Sequence, residues 1–192
     1  KIVWNLLDGR AYTASELAIV SDLSPSSVSN HLSKLLVNNI LKVDTQGRHR
    51  YYSFANSDVA YAVESLANLS NDNLPSKSNK KLAKTGVKYC RTCYDHLAGY
   101  VGVLITEAME EQGYLIKSEK IYLVTQKGWE WLSQFGILEA HFKKSRRALT
   151  RQCLDWSERR PHLAGHLGAV LLDKMLENNW LKKIKFSREI II

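Results

Sequence analysis

The sequence has no run of 18 consecutive apolar residues, and it contains only three cysteines. The first absence excludes a transmembrane helix, and the second gives no support for a disulfide framework. We therefore expect a cytoplasmic protein that does not contact a membrane. The 192 residues, of which 45% are apolar, suffice for two small domains with hydrophobic cores. A net charge of +8 is typical of a protein that binds nucleic acid.

Residues 13 to 54 predict two short helices, joined by a tight turn and followed by a β-hairpin. In the second helix, Ser24 is a suitable N-cap, and Pro25 fits the first helical position because that position needs no N–H. Val28, Leu32 and Leu35 then recur at helical spacing and form one apolar face.

The other faces of this second helix carry short or hydrogen-bonding side chains. A helix that enters the DNA major groove needs short side chains near its N-terminus, so that its backbone can approach base edges and phosphates. This pattern therefore predicts DNA binding. The predicted DNA-binding residues of the helix are Ser26, Ser27, Ser29, Asn30, His31, Ser33 and Lys34.

The predicted hairpin has a basic tip. Two β-prone segments flank a polar turn that contains Gly47. The tip places Arg48, His49 and Arg50 on an arm that can lie along a phosphate backbone. We expect the two arginines and Lys34 to contact phosphates.

In this order, the helix, turn, helix and hairpin resemble the ArsR-type winged-helix repressors. Residues 24 to 35, SPSSVSNHLSKL, resemble their recognition helix, residues 16 to 18 fit the preceding helix, and residues 47 to 52 fit the wing. The resemblance covers roughly the first 70 residues. It implies a homodimeric bacterial transcription factor, usually a repressor that an effector releases from its operator. It also implies an apolar dimer surface formed by Ile2, Val3, Leu6, Leu7, Val59, Val63 and Leu66.

The sequence departs from this family at both of its familiar metal sites. Metal-sensing members carry a cysteine pair in the helix before the turn, whereas residues 16 to 23 contain no thiol. Other members bind zinc through Asp and His on the helix after the wing. That helix, about Ser57 to Leu69, offers Asp58 and Glu64 but no histidine. We therefore expect the signal to be read elsewhere in the chain.

The positive charge lies mostly outside the predicted DNA-binding domain, since residues 1 to 70 carry six basic and six acidic side chains. Residues 71 to 86 begin with a polar stretch without periodicity, which indicates a linker between domains. The basic runs beyond residue 70 either extend the phosphate contacts or form solvated faces. They comprise Lys77, Lys80, Lys81, Lys84, Lys88, Arg91, Lys143, Lys144, Arg146, Arg147 and Arg151.

An internal repeat follows the linker. HLAGYVG at residues 96 to 102 recurs as HLAGHLG 66 positions later, and eight identities fall between residues 96 and 115. We expect residues 87 to 192 to form a C-terminal domain of two helix–hairpin units, at about 87 to 140 and 150 to 192.

The predicted repeat helices contain glycines, which destabilise helices and therefore need a reason. They indicate either a close approach of two helices or space for a ligand, and the tryptophans of this region indicate either a core or an aromatic pocket. The glycines are Gly99, Gly102, Gly165 and Gly168, and the tryptophans are Trp129, Trp131, Trp156 and Trp180.

The cysteines offer a second kind of site. Cys90, Cys93 and His96 are spaced three residues apart, which would place them on one side of a helix. Cys153, together with His162 and His166, occupies the matching position near the second repeat. Thiolate and imidazole ligands suit zinc or another thiophilic metal. The candidate metal ligands are Cys90, Cys93, His96 and Cys153.

Two other interpretations of the cysteines stay open. Lys88 and Arg91 would lower the thiol pKa and favour redox sensing, or the cysteines pack as small core residues. A C-x-x-C oxidoreductase is disfavoured, because the β-α-β context that it requires is absent.

We therefore predict a mostly helical α+β protein, with a winged helix-turn-helix domain at residues 1 to 70. The expected function is that of a sequence-specific DNA-binding regulator without enzymatic activity, a homodimeric repressor released from its operator by a small-molecule or metal effector. One alternative is a metal- or thiol-responsive repressor that uses Cys90, Cys93 and Cys153. Another is a protein-interaction module whose winged helix does not bind DNA, although such a module has no need of a basic tip.

Overall fold

The computed structural model describes residues 1–70 and 85–192. Within these ranges the chain forms seven α-helices and small antiparallel sheets, which confirms the α+β class. The helices are α1 (Ile2–Asn5), α2 (Ala14–Ser21), α3 (Pro25–Val37), α4 (Ser57–Ser70), α5 (Gly99–Glu111), α6 (Gln126–Ser133) and α7 (Gly165–Glu177). None of the helices in these two ranges is long and apolar enough to cross a membrane.

The strands are β1 (Tyr12–Thr13), β2 (Leu41–Gln46), β3 (His49–Phe54), β4 (Arg91–Cys93), β5 (His96–Ala98), β6 (Leu115–Ser118), β7 (Ile121–Val124), β8 (Arg151–Leu154), β9 (Pro161–Ala164), β10 (Lys182–Lys183) and β11 (Ile190–Ile191). Most of the predicted linker, including Lys77, Lys80, Lys81 and Lys84, lies outside the described residues.

The N-terminal part is a winged helix. Strand β3 lies between β1 and β2 in one antiparallel sheet, with Leu41 opposite Phe54 at the base of the β2–β3 hairpin. Helix α2 begins with a capping box, in which Thr13 and Glu16 satisfy each other's backbone N–H groups. Helices α2 and α3 pack against this sheet over one apolar core.

The C-terminal part contains two segments with the same order of elements, hairpin, helix and hairpin. The first runs through β4, β5, α5, β6 and β7, and the second through β8, β9, α7, β10 and β11. Helix α5 packs against β9 of the second segment, while α7 packs against β5 of the first. A hydrogen bond from Leu163 N to Thr106 Oγ1, 2.8 Å long, joins the two segments.

The helix expected around Cys90 to His96 is wrong, because these residues form the β4–β5 hairpin. Two residues spaced three apart, such as Cys93 and His96, can also lie opposite each other across a two-residue hairpin turn. Tyr94 adopts a left-handed backbone conformation (φ +59°) that ends β4 and closes a two-residue turn with Asp95. That turn also depends on distant contacts of Tyr94, which local spacing does not reveal.

The repeat glycines do not mark a helix crossing. A Cβ built on Gly102 or Gly168 would meet the preceding strand, at Leu97 O (2.6 Å) or Leu163 O (2.7 Å). The cavity beside them holds only about 20 Å³, which is room for one water molecule and not for a larger ligand. The glycines therefore let each helix pack closely on its own hairpin.

The two parts of the chain pack directly on each other. Tyr94, at the β4–β5 turn, donates its N–H to Leu7 O (2.7 Å) and packs edge-on against Phe54 and Tyr61 of the winged helix. Arg188, near the C-terminus, forms a buried ion pair with Glu64 of α4. The hairpin turn is therefore part of the winged-helix core.

The predicted dimer surface needs a correction. Ile2, Leu6 and Leu7 are no more than 5% exposed, because they pack inside the winged-helix core of the same chain. Only Leu66 of the predicted set is largely exposed, at 62%. Ile2, Leu6 and Leu7 are thus core residues of the same chain and not part of a dimer surface.

Candidate functional site

Helix α3 presents a polar face because its cap and its apolar residues fix its orientation. Ser24 Oγ accepts a hydrogen bond from Ser27 N (3.2 Å), and Pro25 occupies the first turn. Val28 and Leu32 are buried against the winged-helix core. The small polar residues between them therefore face outward.

The seven predicted DNA-binding residues of α3 all lie on this helix, and six are exposed. Ser27 is the half-buried member, because it lies beneath the Ser24 cap. Ser33 Oγ donates to Ser29 O (2.9 Å), which keeps that hydroxyl close to the helix surface. The exposed members are Ser26, Ser29, Asn30, His31, Ser33 and Lys34.

The predicted wing is the β2–β3 hairpin, and Gly47 and Arg48 form its two-residue turn. Gly47 has a φ of +58°, which a glycine adopts without strain. Arg48, His49 and Arg50 are exposed at the tip. The guanidinium of Arg50 lies 5.6 Å from the centre of the Tyr52 ring, which steadies it along the strand.

A capped helix with a small-residue outer face, followed by a hairpin with a cationic tip, defines the winged helix-turn-helix class of DNA-binding domains. The chain is 42% identical over 191 residues to a protein of Bacillus subtilis (strain 168), the uncharacterized HTH-type transcriptional regulator YdfF. The alignment covers 100% of this chain and 84% of that relative. The chain belongs to the HTH-type transcriptional regulators. No protein-family profile and no solved structure matches it.

The basic runs beyond the winged helix are only partly solvated. Lys143, Lys144 and Arg146 are exposed. Arg147 instead contacts Asp95 (2.6 Å) and donates to Tyr61 OH of α4 (2.6 Å). Arg151 lies 3.5 Å from Asp58 and stacks over Tyr61. These two arginines hold the C-terminal part against the winged helix.

Four side chains on the two hairpins β4–β5 and β8–β9 form a compact cluster. Cys93 lies opposite His96 in one hairpin, and Cys153 lies opposite His162 in the other. Their sulfur and ring-nitrogen atoms all lie within 4.8 Å of one another. Cys93 and both histidines are fully buried, whereas Cys153 is half-buried and opens the cluster toward solvent.

The cluster differs from the predicted ligand set in one member. Cys93, His96 and Cys153 come together, but Cys90 lies apart in an apolar cluster with Leu97 and Leu172. In extended backbone, residues three apart point to opposite faces, so Cys90 and Cys93 cannot share a site. His162 takes the fourth place.

A second repeat offset could have revealed this arrangement. At 66 positions His96 matches His162, but at 60 positions Arg91 and Cys93 match Arg151 and Cys153. The offset changes from 60 to 66 because the second hairpin has a longer loop. Eight residues separate Cys153 from His162, whereas only two separate Cys93 from His96. Each hairpin therefore supplies one thiol and one imidazole in the same register.

The electrostatics of the cluster follow from its burial. Burial raises the pKa of the Cys93 thiol well above its usual value. Burial lowers the pKa of His162, whereas for His96 the Cys93 sulfur and the Asp95 carboxylate outweigh burial and raise the pKa to about 9. His96 Nε2 and His162 Nε2 lie 3.1 Å apart, within hydrogen-bonding distance.

The proposed lowering of thiol pKa by basic neighbours is wrong for Cys90. Burial raises the pKa of its thiol to about 12, and Arg91 offsets this only in part. The guanidinium of Arg91 is itself buried and paired with Asp155 at 2.8 Å. Its charge is therefore engaged in holding the second hairpin loop.

An apolar cavity of about 390 Å³ lies between α5, α6 and α7, away from the cluster. Trp131 and Trp180 line it, while Trp129 packs in the adjoining core and Trp156 stacks under Arg91. Its volume is within the range of small-molecule sites. The remaining wall residues include Ile105, Met109, Tyr114, Phe135, Leu171, Lys174 and Met175.

Proposed function

We propose that the protein is a sequence-specific DNA-binding repressor, which binds its operator as a homodimer and is released from it by an effector. The exposed polar face of α3 carries this proposal. Its side chains are short enough for the helix backbone to approach the floor of the major groove. The cationic tip of the wing then lies where a neighbouring phosphate backbone would pass. The resemblance of the first 70 residues to ArsR-type repressors supports the same function.

Homodimerisation sets the form of the operator. Two recognition helices related by a twofold axis meet half-sites about 34 Å apart, one helical turn of B-DNA. The operator is therefore expected to be an inverted repeat with that spacing.

Selection of duplexes from a random pool at low salt tests the DNA-binding part of the proposal. The expected result is enrichment of an inverted repeat, with two chains bound per duplex by light scattering. The double variant Lys117→Ala/Lys120→Ala is a control for net charge, because it removes two exposed positive charges outside the winged helix and should enrich the same sequence. Enrichment of no sequence would refute the proposal, and a single chain per enriched duplex would refute the homodimer.

A further inference from the structure

We propose that Cys93, His96, Cys153 and His162 bind a thiophilic divalent cation of the zinc class, and that occupancy of this site controls the DNA affinity of the winged helix. The control part rests on the proposed DNA-binding function. The site itself does not, because it follows from the geometry of the two hairpins.

The sulfur–sulfur and nitrogen–nitrogen distances of the cluster are close to those of a tetrahedral zinc site. Zinc bonds of about 2.3 Å to sulfur and about 2.05 Å to nitrogen place two sulfurs about 3.8 Å apart and two nitrogens about 3.3 Å apart. In the cluster, Cys93 Sγ lies 3.7 Å from Cys153 Sγ, and His96 Nε2 lies 3.1 Å from His162 Nε2. Two thiolates and two neutral imidazoles form a donor set with high affinity for zinc.

Carboxylates behind both histidines complete the arrangement. Histidines that bind metals usually orient their second ring nitrogen toward a carboxylate. Asp95 Oδ1 lies 3.1 Å from His96 Nδ1, and Asp155 Oδ2 lies 3.4 Å from His162 Nδ1. The contact with Asp95 fixes the direction of His96 Nε2, whereas Asp155 is a charged neighbour of His162 Nδ1 without a hydrogen bond to it.

A cation also explains the cluster better than a disulfide does. A bond between the two sulfurs requires them to approach to about 2.05 Å from their present separation, and it makes no use of the histidines. The ring nitrogens converge on the same space as the sulfurs. A four-coordinate ion uses all four groups, and its expected Sγ–Sγ and Nε2–Nε2 distances lie within about 0.2 Å of those in the cluster.

The winged helix contacts this site through the β4–β5 turn. Tyr94 and Asp95 are the two residues between the ligands Cys93 and His96. The N–H and ring of Tyr94 pack into the winged-helix core, while Asp95 binds Arg147, whose Nη2 donates to Tyr61 OH of α4 (2.6 Å). A cation that fixes the turn therefore stabilises one docking of the winged helix.

This coupling has a thermodynamic requirement. A ligand shifts an equilibrium only if its affinity differs between the two states. Tyr94 contacts the winged helix directly, and Asp95 reaches it through Arg147. Both links require the two parts to be docked, so ligand geometry and docking change together. We expect zinc to change the DNA affinity at least fivefold, within the usual range of coupling between sites.

Cobalt and zinc titrations of the full chain test the site without DNA. The expected result is one Co²⁺ per chain, with the visible bands of tetrahedral cobalt and sulfur-to-cobalt charge transfer, displaced by Zn²⁺. Cys153→Ser, at the least buried ligand, should abolish the charge-transfer band of that sulfur and weaken Co²⁺ binding. His162→Asn should also weaken Co²⁺ binding. The matched controls Cys90→Ala and His141→Asn should bind Co²⁺ as the unaltered chain does.

Data on the unaltered chain alone decide whether the metal site exists, so this test does not depend on the folding of any variant. The site is refuted if the unaltered chain binds no stoichiometric Co²⁺, or if peroxide joins Cys93 to Cys153 while added Zn²⁺ gives no protection.

Duplex binding with and without Zn²⁺ tests whether the metal site controls DNA affinity. Tyr61→Phe removes only the hydroxyl that Arg147 contacts, so it should retain Co²⁺ binding and reduce the effect of zinc on DNA affinity. If the unaltered chain binds stoichiometric zinc without any change in DNA affinity, the control of DNA affinity by the metal site is refuted. If it binds cobalt but binds no duplex, either with or without Zn²⁺, the DNA-binding function is refuted and the metal site is not.

Discussion

Glu64 and Arg188, separated by 124 positions, form an ion pair that joins helix α4 to the end of the chain. Arg188 Nη2 lies 3.0 Å from both carboxylate oxygens, and both side chains are almost fully buried. Arg188 also donates from Nε to Thr92 O (3.1 Å) and stacks over Trp4. One guanidinium therefore links the C-terminus, strand β4 and the winged helix.

Replacement of Glu64 with alanine should destabilise the protein by about 3–5 kcal/mol, because it leaves a buried guanidinium without its partner. Urea unfolding measures this change. Glu177→Ala is the matched control, since Glu177 pairs with Lys174 at an exposed position and such pairs contribute only about 0–1 kcal/mol. Equal effects of the two replacements would contradict the structural importance of the buried pair.

The double variant Arg48→Ala/Arg50→Ala should weaken binding to all duplexes by similar factors. Each lost phosphate contact should lower the slope of log affinity against log salt by about one unit. Anisotropy titrations at several salt concentrations measure both effects. An unchanged slope would place the wing tip away from the phosphates.

Asn30→Ala should act differently, because Asn30 is exposed on the outer face of α3, which we expect to read bases. The loss of a base contact costs about 1–3 kcal/mol at one operator position and relaxes specificity there. Parallel selections with the unaltered and variant chains measure this. A uniform loss of affinity across all sequences would instead assign Asn30 to the phosphate backbone.

Gly165→Ala should destabilise the protein more than Gly136→Ala. Both glycines have positive φ, +87° and +72°, so each replacement incurs backbone strain of about 1–2 kcal/mol. A Cβ on Gly165 would also lie 2.8 Å from Thr150 Cα, whereas one on Gly136 has open space within 4 Å. Thermal or urea unfolding measures the difference. Similar losses would show that the β8 end of the hairpin moves aside easily.

Asp8 should make stability depend on pH. Burial raises the pKa of its carboxyl above the ordinary value, although hydrogen bonds from Tyr12 OH and Arg10 N partly offset this. Because the folded pKa is the higher one, the unfolded chain releases this proton first. The contribution of Asp8 to stability should therefore fall as pH rises from about 3.8 toward the folded pKa.

Urea unfolding across this pH interval, compared between the unaltered chain and Asp8→Asn, measures the effect. The variant should lose the decline, whereas Asp44→Asn, at an exposed wing position, should retain it. An identical pH profile for Asp8→Asn would show that Asp8 does not cause the decline.

The winged helix could be predicted from the sequence because its signals are local. The Ser24 cap, Pro25 and the spacing of Val28 and Leu32 together define α3, and Gly47 defines the turn of the hairpin. Each of these features acts within a few residues of its own position. The same reasoning places the helix after the wing, predicted at about residues 57 to 69 and observed at Ser57–Ser70.

The cysteine–histidine cluster was only partly predictable, because its determinants are far apart in the chain. Whether Cys93 lies on a helix or a strand depends on Tyr94 docking against Leu7 and on the Arg91–Asp155 pair. Ile2, Leu6 and Leu7 were wrongly assigned to a dimer surface for a similar reason. Periodicity marks a buried face, but it does not distinguish burial in the same chain from burial against a partner.

The common register of the two hairpins has a consequence for the assembly of the cluster. One hairpin–helix unit holds one sulfur and one imidazole, which is half of a tetrahedral donor set. Two separate copies of such a unit, brought together by the same packing of α5 on β9 and α7 on β5, would assemble all four donors. A chain with a single unit would thus complete the cluster by self-association, whereas the tandem arrangement completes it in every molecule regardless of protein concentration.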